Sequence, residues 1–429
     1  MIEVLPDLRT TVTVIGGGVA GIWTAYKLVK AGIPTIVITY LDSDRGGVQG
    51  STSRSVGAIN TSPIQKSDFA SYINELGRGQ THPSVAKYLP IYLNDELEEL
   101  ASIFDLKTLK IGVGLNLKST LFLQKMYELL ELNGGRIVNG WVTRLVINKM
   151  ICQGLQYETK NGIGKVCCHG LVLASGGYSS LFLKSIKTGC FGTVLGQYLQ
   201  CGGLATNLEF QFKHGYGNID TNDLTPTEEL AGAEIYDNHQ NRVTWLEKLL
   251  FEGKGTGTHL QAVQFWLRHK ERDYFIDLSF RQLYLAVSQF NLLQEEEQGN
   301  QSSDLAKRKK IIKNLVSYFP KNIQYDVCKI ILNLEKKKTI DYEMFDKLKY
   351  FANIKKNKKN KFKVKPIAYF SMGGIAHKNF LTNLKNVYVN GECMHDFGAN
   401  RVGGLPWGMY LTSSRIICKS LLEQGLHTG

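Results

Sequence analysis

The sequence predicts an α/β fold, and three of its features lead to that prediction. The chain has 429 residues, enough for two or three domains of ordinary size. Hydrophobic residues make up 43% of it and charged residues 21%, a composition typical of a folded globular protein. Near its start, a β-branched run, a glycine-rich turn and a helical pattern follow one another directly, which is the order of a βαβ unit.

The first element is the β-strand expected over Thr11–Ile15. The hexapeptide GGGVAG of residues 16–21 follows it, and the apolar periodicity of residues 22–29 indicates a helix. A second β-branched strand, Thr35–Thr39, starts where a βαβ unit requires it. The first domain is therefore predicted to be Rossmann-like and to bind the phosphates of a dinucleotide at the helix N-terminus.

The glycines of this turn have separate predicted roles. Gly16 permits the tight turn, Gly18 lets the backbone approach a pyrophosphate, and Gly21 lets the helix pack closely on the strand. The acidic residue that usually binds the ribose at the end of the second strand is replaced by Thr39-Tyr40. This replacement weakens an assignment to NAD.

Three later segments favour FAD. The polar loop GSTSRSVGAI of residues 50–59 is suited to wrapping a phosphate and the edge of a flavin. The buried strand LVLA of residues 171–174 leads into Ser175 and a glycine pair. A late strand, residues 386–390, ends in Gly391-Glu392.

In this order the segments resemble those of the flavoprotein family of L-aspartate oxidase, succinate dehydrogenase and fumarate reductase. The loop 50–59 is similar to the family's G-S-T-x-x-A-Q-G-G-I, closest to the L-aspartate oxidase version, and Thr39-Tyr40 resembles the Ser-Lys found there in aspartate oxidases. The MGGI of residues 372–375 and the GANR of residues 398–401 match further motifs. The resemblance covers nearly the whole chain and implies a Rossmann-like FAD-binding domain with an inserted α+β capping domain.

The resemblance also implies the cofactor site and how the cofactor is held. Residues 50–60 contain no histidine, the residue to which the succinate dehydrogenase version attaches its flavin, so the FAD is expected to be non-covalent. The expected FAD-binding residues lie in the motifs above: Gly16, Gly18, Ala20, Gly21, Tyr40, Ser51, Thr52, Gly57, Ala58, Ser175, Gly176, Gly177, Glu392 and Leu405.

The resemblance implies a flavin domain that is split in the sequence. Its two parts are expected at 1–211 and 366–429, with a capping domain at 212–365 that closes over the active site. The segment YFIDLS of residues 274–279 is similar to a strand of that cap. Because only residues 402–429 follow Arg401, the C-terminal helical domain of the relatives is expected to be absent.

The expected reaction is hydride transfer between a carboxylate substrate and the flavin. In the family, the arginine of GANR binds a substrate carboxylate, which assigns this role to Arg401. L-aspartate or a related dicarboxylate is the first substrate to expect. The family's proton-moving arginine falls on Ala262, and its substrate-binding histidine falls on Tyr369. The alternative is therefore a catalytically idle FAD-binding partner subunit.

Three residues are candidates for a rebuilt site. His395, beside Asp396, could titrate near neutrality and act as an acid or base, and a surface loop histidine is the alternative. Tyr369 could bind a carboxylate through its hydroxyl group or serve only in packing. Trp407 could stack on the flavin or fill the core.

The basic charge of the chain belongs to one segment. The net charge is +13, and residues 305–365 hold 19 Lys plus Arg against 5 Asp plus Glu. A solvated helix face and a flexible loop explain this pattern, and a docking patch for an acidic protein is the alternative. Nucleic-acid binding is not predicted, because no compact binding motif accompanies the lysines.

Cysteine and histidine spacing predicts no metal. The eight cysteines are scattered without a C-x-x-C, and the nine histidines lack a ligand pattern. No stretch approaches the roughly 18 apolar residues of a spanning helix, and the first residues lack the basic region and apolar core of a signal peptide. A cytoplasmic protein without a membrane span is expected.

Overall fold

A computed structural model describes most of the chain. The described residues are 3–41, 50–55, 57–109, 112–182, 184–185, 189–219, 221, 230–252, 261, 264, 268, 273–298, 305–334, 339–356 and 360–425. The strands are β1 Leu8–Ile15, β2 Thr35–Thr39, β3 Ala58–Asn60, β4 Leu106–Leu109, β5 Gly112–Leu115, β6 Arg136–Asn139, β7 Trp141–Asn148, β8 Ile151–Thr159, β9 Gly162–Leu173, β10 Ala205–Thr206, β11 Gln211–Asn218, β12 Glu234–Tyr236, β13 Tyr274–Asp277, β14 Lys361–Ser371, β15 Gly374–Ile375 and β16 Val387–Val389. The helices are α1 Val19–Lys30, α2 Phe69–Leu76, α3 Pro83–Ile103, α4 Ser119–Leu132, α5 Thr193–Gln200, α6 Thr244–Glu252, α7 Arg281–Gln298, α8 Leu305–Val316, α9 Gln324–Leu334, α10 Tyr342–Phe351 and α11 Leu405–Glu423.

The chain divides into two compact units. The first unit consists of 1–212 together with 368–429, and the second unit of 213–367. The first unit is therefore built from two separate stretches of sequence, and the second is continuous. No helix among the described residues is both long enough and apolar enough to cross a membrane.

The first unit is organised around a seven-stranded sheet. Its order is β6-β2-β1-β9-β8-β7, and β16 also pairs with β9. The strands β6, β2, β1, β9 and β16 run parallel, whereas β7 and β8 pair antiparallel. The last four residues of β1 and the first four of β2 are buried or nearly so, as expected for parallel strands covered on both faces. The predicted α/β fold class is confirmed.

A buried carboxylate joins three helices of this unit. Glu96 of α3 is fully buried and accepts a hydrogen bond from the indole Nε1 of Trp23 on α1 at 2.7 Å. It also pairs with Lys27 of α1 at 2.8 Å and with Arg415 of α11 at 3.3 Å. Because its partners lie on both α1 and α11, this charge links α3 to both of those helices.

The second unit combines a four-stranded sheet with a group of helices. The sheet order is β11-β14-β13-β12, and β12, β13 and β14 pair antiparallel. A separate apolar core lies among the helices and includes Phe290, Leu315 and Phe345. The buried carboxylate of Glu247 accepts a hydrogen bond from the Ile235 amide of β12 at 2.8 Å, which ties α6 to the sheet edge.

The basic segment is mostly regular structure. It contains α8, α9 and α10, and its last residues, from Lys361 onward, begin β14. Lys356 pairs with Glu234 at 2.5 Å, whereas residues 357–359 lie outside the described part. The lysine-rich stretch 355–361 thus includes an ion pair and the first residue of a strand, and the flexible loop expected there stays a prediction.

Candidate functional site

The glycine-rich turn between β1 and α1 leaves no room for side chains. Gly16 has a φ of +108°, in the region that favours glycine, and a Cβ there would lie 2.2 Å from the carbonyl oxygen of Ala174. A Cβ on Gly21 would lie 1.9 Å from the carbonyl oxygen of Gly16. The main chain of β1, α1 and the end of β9 therefore approach one another as closely as glycine allows.

The N-terminus of α1 is suited to an anion. Gly18 is the N-cap residue, it offers no side chain to cap the helix, and no acidic residue lies in the first turn. The Val19 amide donates a hydrogen bond to Thr52 Oγ1 at 3.0 Å, so the loop that begins at Gly50 closes over this helix end. The partial positive charge of the helix is not neutralised by a carboxylate on α1 itself.

Threonine at the end of β2 holds the turn in place. Thr39 Oγ1 accepts a hydrogen bond from the Gly17 amide at 3.0 Å, and the Tyr127 hydroxyl donates to the Gly17 carbonyl at 2.8 Å. Burial raises the pKa of Tyr127, so its hydroxyl remains a donor at neutral pH. The residue that replaces the usual ribose-binding acid therefore contacts the glycine turn.

A cavity of about 310 Å³ opens beside this turn, within the first unit. It is lined by segments that are far apart in the sequence. Nine of the fourteen predicted cofactor residues line it: Gly16, Gly18, Ala20, Tyr40, Ser51, Thr52, Ser175, Gly176 and Glu392.

The other five predicted cofactor residues do not line the cavity. Gly21 packs α1 on the turn, and a Cβ on Gly177 would lie 2.6 Å from Glu392 Oε1. Gly57 has a φ of +65°, and Ala58 is the first residue of β3. Leu405 is 1% exposed at the start of α11. Their predicted contact with a cofactor therefore stays a prediction.

One set of lining residues was missed at the sequence level. Gly140, Trp141 and Val142 follow β6, which lies beside β2 in the sheet. The signal for these residues was the short β-branched run Ile137-Val138 before Gly140, because the carboxyl ends of parallel strands meet at one edge of a sheet. Residues 189–194, which run into α5, also line the cavity. The rings of Trp141 and Tyr40 lie 5.4 Å apart, and both are nearly half exposed, so they offer apolar faces to a planar group.

Glu392 also lines the cavity. Its side chain is buried, and Oε1 accepts a hydrogen bond from the Ser371 amide at 2.9 Å. Ser51 Oγ donates to Oε2 at 3.4 Å. This carboxylate therefore connects the loop of Ser51 with the end of β14, and it can accept hydrogen bonds from hydroxyl groups of a ligand.

The guanidinium of Arg401 lies among three aromatic rings. Its central carbon is 4.1 Å from the ring centre of Phe370, 5.5 Å from that of Tyr369 and 5.7 Å from that of Phe212. Its Nη1 donates a long hydrogen bond, 3.5 Å, to the Val402 carbonyl, and its buried Nε has no hydrogen-bond partner among the described residues. Cation–π contacts of this kind hold the side chain in place.

His395 is buried, so the surface-loop alternative is wrong. Burial lowers the pKa of His395 to about 4, with a further lowering from His82, so the imidazole is neutral at pH 7 and does not titrate near neutrality. Its Nδ1 has no hydrogen-bond partner among the described residues. The ring centres of His82 and His377 lie 4.0 Å apart with the ring planes tilted by 37°, and burial lowers the pKa of each.

Asp396 and Tyr410 are buried polar groups near Arg401. Asp396 Oδ1 accepts a hydrogen bond from the Phe397 amide at 2.7 Å, whereas Oδ2 lacks a partner among the described residues. Burial raises the pKa of Asp396 well above its usual value, although the Phe397 amide and Arg401 act in the opposite direction. Tyr410 lines the cavity, and burial also raises its pKa. Burial therefore favours the protonated, neutral form of both groups.

Trp407 does not line this cavity. It packs against Phe122 at a ring distance of 5.6 Å within the apolar core, which supports the core-filling interpretation. Ala262, on which the family's proton-moving arginine falls, lies outside the described part. Among the described residues, no group of His, Cys, Asp and Glu is arranged to hold a metal ion.

The cavity and the parallel sheet together define a nucleotide-binding flavoprotein fold. Residues 11–107 match the model of the DAO family, which is described as FAD dependent oxidoreductase. This match covers the glycine turn, β2 and the loop of Ser51, and it implies FAD as the cofactor. No curated protein matches the chain.

The fold is similar to that of several solved flavoproteins. A variant of E. coli quinol fumarate reductase is 16% identical with a TM-score of 0.67, over 99% of this chain and 72% of that chain. The open conformation of a flavocytochrome c3 fumarate reductase is 17% identical with a TM-score of 0.64, over 97% and 79%. A 3-ketosteroid dehydrogenase from Rhodococcus jostii RHA1 is 12% identical with a TM-score of 0.54, over 96% of each chain. At these identities the likeness establishes the fold.

Proposed function

We propose that this chain is an FAD-dependent oxidoreductase that transfers hydride between a carboxylate substrate and non-covalently bound FAD. The observation that carries the proposal is the cavity of the first unit, where the glycine turn, the loop of Ser51, Ser175-Gly176 and Glu392 meet. The loop of Ser51, Ser175-Gly176 and Glu392 are separated from one another by more than a hundred residues in the sequence. A shared ligand is the simplest reason for their convergence on one cavity.

The residues present fit FAD. The glycine turn and the N-terminus of α1 would hold the pyrophosphate through main-chain amides. Neither Gly16 nor Gly21 has room for a side chain. Glu392 would accept hydrogen bonds from ligand hydroxyl groups, and Tyr40 with Trp141 would pack on a planar base. When bound, the flavin supplies the hydride acceptor.

Arg401 would bind the substrate carboxylate in this proposal. The guanidinium group is permanently charged and can donate hydrogen bonds to both oxygens of a carboxylate. Among the described residues, Arg401 forms no ion pair that would compete with the substrate. L-aspartate or a related dicarboxylate is the substrate that the family resemblance implies. The second unit, which covers most of 212–365, is assigned as the capping domain, and the first unit as the flavin domain.

An anaerobic absorbance titration tests this proposal. The purified protein is expected to show a flavin spectrum, and acid precipitation should release all of the FAD because it is not covalently attached. Adding L-aspartate, succinate and other amino and hydroxy acids in turn should bleach the flavin with at least one of them. Absence of flavin, or no bleaching with any of a broad set of carboxylates, would contradict the proposed reaction.

A second candidate function is an FAD-binding partner subunit without turnover. The observation that favours it is an exposed pair of aromatic residues in the basic segment, Tyr350 at 85% and Phe351 at 54% exposure, with their rings 5.3 Å apart. Lysines 347, 355 and 356 lie close by in the sequence, so this surface suits an acidic protein. Replacing both rings by serine should then abolish co-purification with such a partner while FAD remains bound.

A further inference from the structure

The aromatic residues around Arg401 bear on the part of the substrate that lies next to its carboxylate. Phe212, Tyr369 and Phe370 form what we term the aromatic wall, and all three rings lie within 5.7 Å of the guanidinium carbon. Phe370 is buried, whereas Phe212 and Tyr369 are partly exposed. A carboxylate bound in the plane of the guanidinium therefore has apolar ring surface beside it.

Arg401 has hydrogen-bond donors available for such an anion. Its Nε is buried without a hydrogen-bond partner, and its contact with the Val402 carbonyl is long, among the residues that the structure describes. A charge in partly buried surroundings is normally paired. A bound carboxylate would complete this pairing and satisfy the remaining donors.

Among the described residues of the first unit, His395 and the two histidines beside it offer no positive charge to a second carboxylate. His82, His377 and His395 are held neutral because burial lowers the pKa of each. Glu392 is a carboxylate, and a second anion next to it would be unfavourable. The position of the family's substrate-binding histidine holds Tyr369, which carries no positive charge.

We propose that the substrate carries a single carboxylate on a flat apolar body, with the carboxylate on Arg401 and the body against Phe212 and Tyr369. This inference rests on the proposed function and narrows its substrate class, and it departs from the dicarboxylate that the family resemblance implies. Tyr369 becomes the residue that selects the body of the substrate. Arg401 binds the group that both classes of acid share.

Two acids that differ at one end provide the test. trans-Cinnamate and fumarate share an α,β-unsaturated carboxylate, and they differ only in a phenyl ring against a second carboxylate. Their dissociation constants for the FAD-loaded protein are measured by calorimetry at pH 7. We expect trans-cinnamate to bind at least tenfold more tightly than fumarate, because the phenyl ring buries apolar surface on the aromatic wall.

Variants of the two key positions separate the roles. Tyr369→Ala should reduce the preference for trans-cinnamate at least fivefold, and Tyr369→Phe, which keeps the ring, should retain it. Arg401→Gln should weaken both acids by a similar factor, since it removes the group that binds the shared carboxylate. Thermal unfolding and FAD content of each variant show whether it is folded.

The possible outcomes distinguish this inference from the function on which it rests. Tighter binding of trans-cinnamate that depends on the Tyr369 ring supports the inference. Fumarate binding as tightly as trans-cinnamate overturns the inference, and it leaves the proposed function intact if a dicarboxylate bleaches the flavin. Binding of neither acid to a protein that holds FAD, with no bleaching by any carboxylate, overturns both.

Discussion

Replacing Gly21 by alanine tests the close approach of α1 to the turn that follows β1. A Cβ at this position would lie 1.9 Å from the carbonyl oxygen of Gly16, 3.0 Å from its carbonyl carbon and 3.3 Å from the Cβ of Ala174. Such a pair of atoms is usually about 3.2 Å apart, so the contact with the oxygen would be more than 1 Å too short. It involves main-chain atoms, so no side-chain rotation can relieve it.

The loss of stability in Gly21→Ala depends on how far the turn and α1 must move apart. Gly16 is held by the hydrogen bond from its amide to the Ile38 carbonyl at 2.9 Å, and α1 is buried along most of its length. Overpacking of this kind typically costs about 1–3 kcal/mol, occasionally more, and alanine's better helix propensity offsets at most about 1 kcal/mol. We therefore expect a net loss of about 2 kcal/mol, or roughly 4–8 °C in the melting temperature of the first unit.

Gly196 in α5 provides the matched control. A Cβ there would have no neighbour within 4 Å, so Gly196→Ala should be neutral or stabilising by up to about 1 kcal/mol. Circular dichroism reports the melting of each variant, and the release of flavin fluorescence reports the opening of the cavity. Equal melting and release temperatures for Gly21→Ala and Gly196→Ala would refute the steric reasoning.

Three further predictions concern single side chains of the first unit. Burial raises the pKa of Asp396, so the folded state keeps a proton that the unfolded state has released above about pH 4. Stability should therefore fall as pH rises towards the folded pKa, by up to about 1.4 kcal/mol per pH unit, and Asp396→Asn should remove this slope in urea unfolding between pH 5 and 7; an unchanged slope would exclude Asp396 as its source. Glu96→Gln keeps an acceptor for the indole of Trp23 but removes the buried charge, and it should cost about 1–3 kcal/mol in urea unfolding, whereas a loss below about 0.5 kcal/mol would show that the charge is dispensable. Thr39→Val removes the acceptor for the Gly17 amide and should cost about 1 kcal/mol and weaken FAD retention in dialysis, and wild-type retention would argue against a role in shaping the turn.

The sequence predicted the part of the cavity that is formed by residues close together in the chain. The strand, glycine turn and helix of the first βαβ unit are specified by neighbouring residues, so Gly16 and Gly18 could be identified before the structure was known. Trp141 could not be identified in the same way. Its place at the cavity depends on β6 lying next to β2, and that pairing joins residues about a hundred positions apart.

The protonation state of His395 was beyond sequence reasoning for a different reason. A histidine next to an aspartate in the sequence suggests a charge pair, but the pKa depends on how deeply both groups are buried. In the structure both groups are buried, and His82 lies close to His395. Burial raises the pKa of Asp396 and lowers that of His395. The aromatic wall was equally hidden, because Phe212 and Arg401 are distant in the sequence.

The split of the first unit has a consequence for how the chain folds during synthesis. The strand β16 and the helix α11 complete the sheet and the packing on α1, yet they leave the ribosome after the whole second unit. The second unit is continuous and can fold first, while the edge of β9 that awaits β16 stays unpaired. Slow translation of residues 368–429 would prolong the exposure of that edge, and chaperone binding is expected to concentrate at this stage of synthesis.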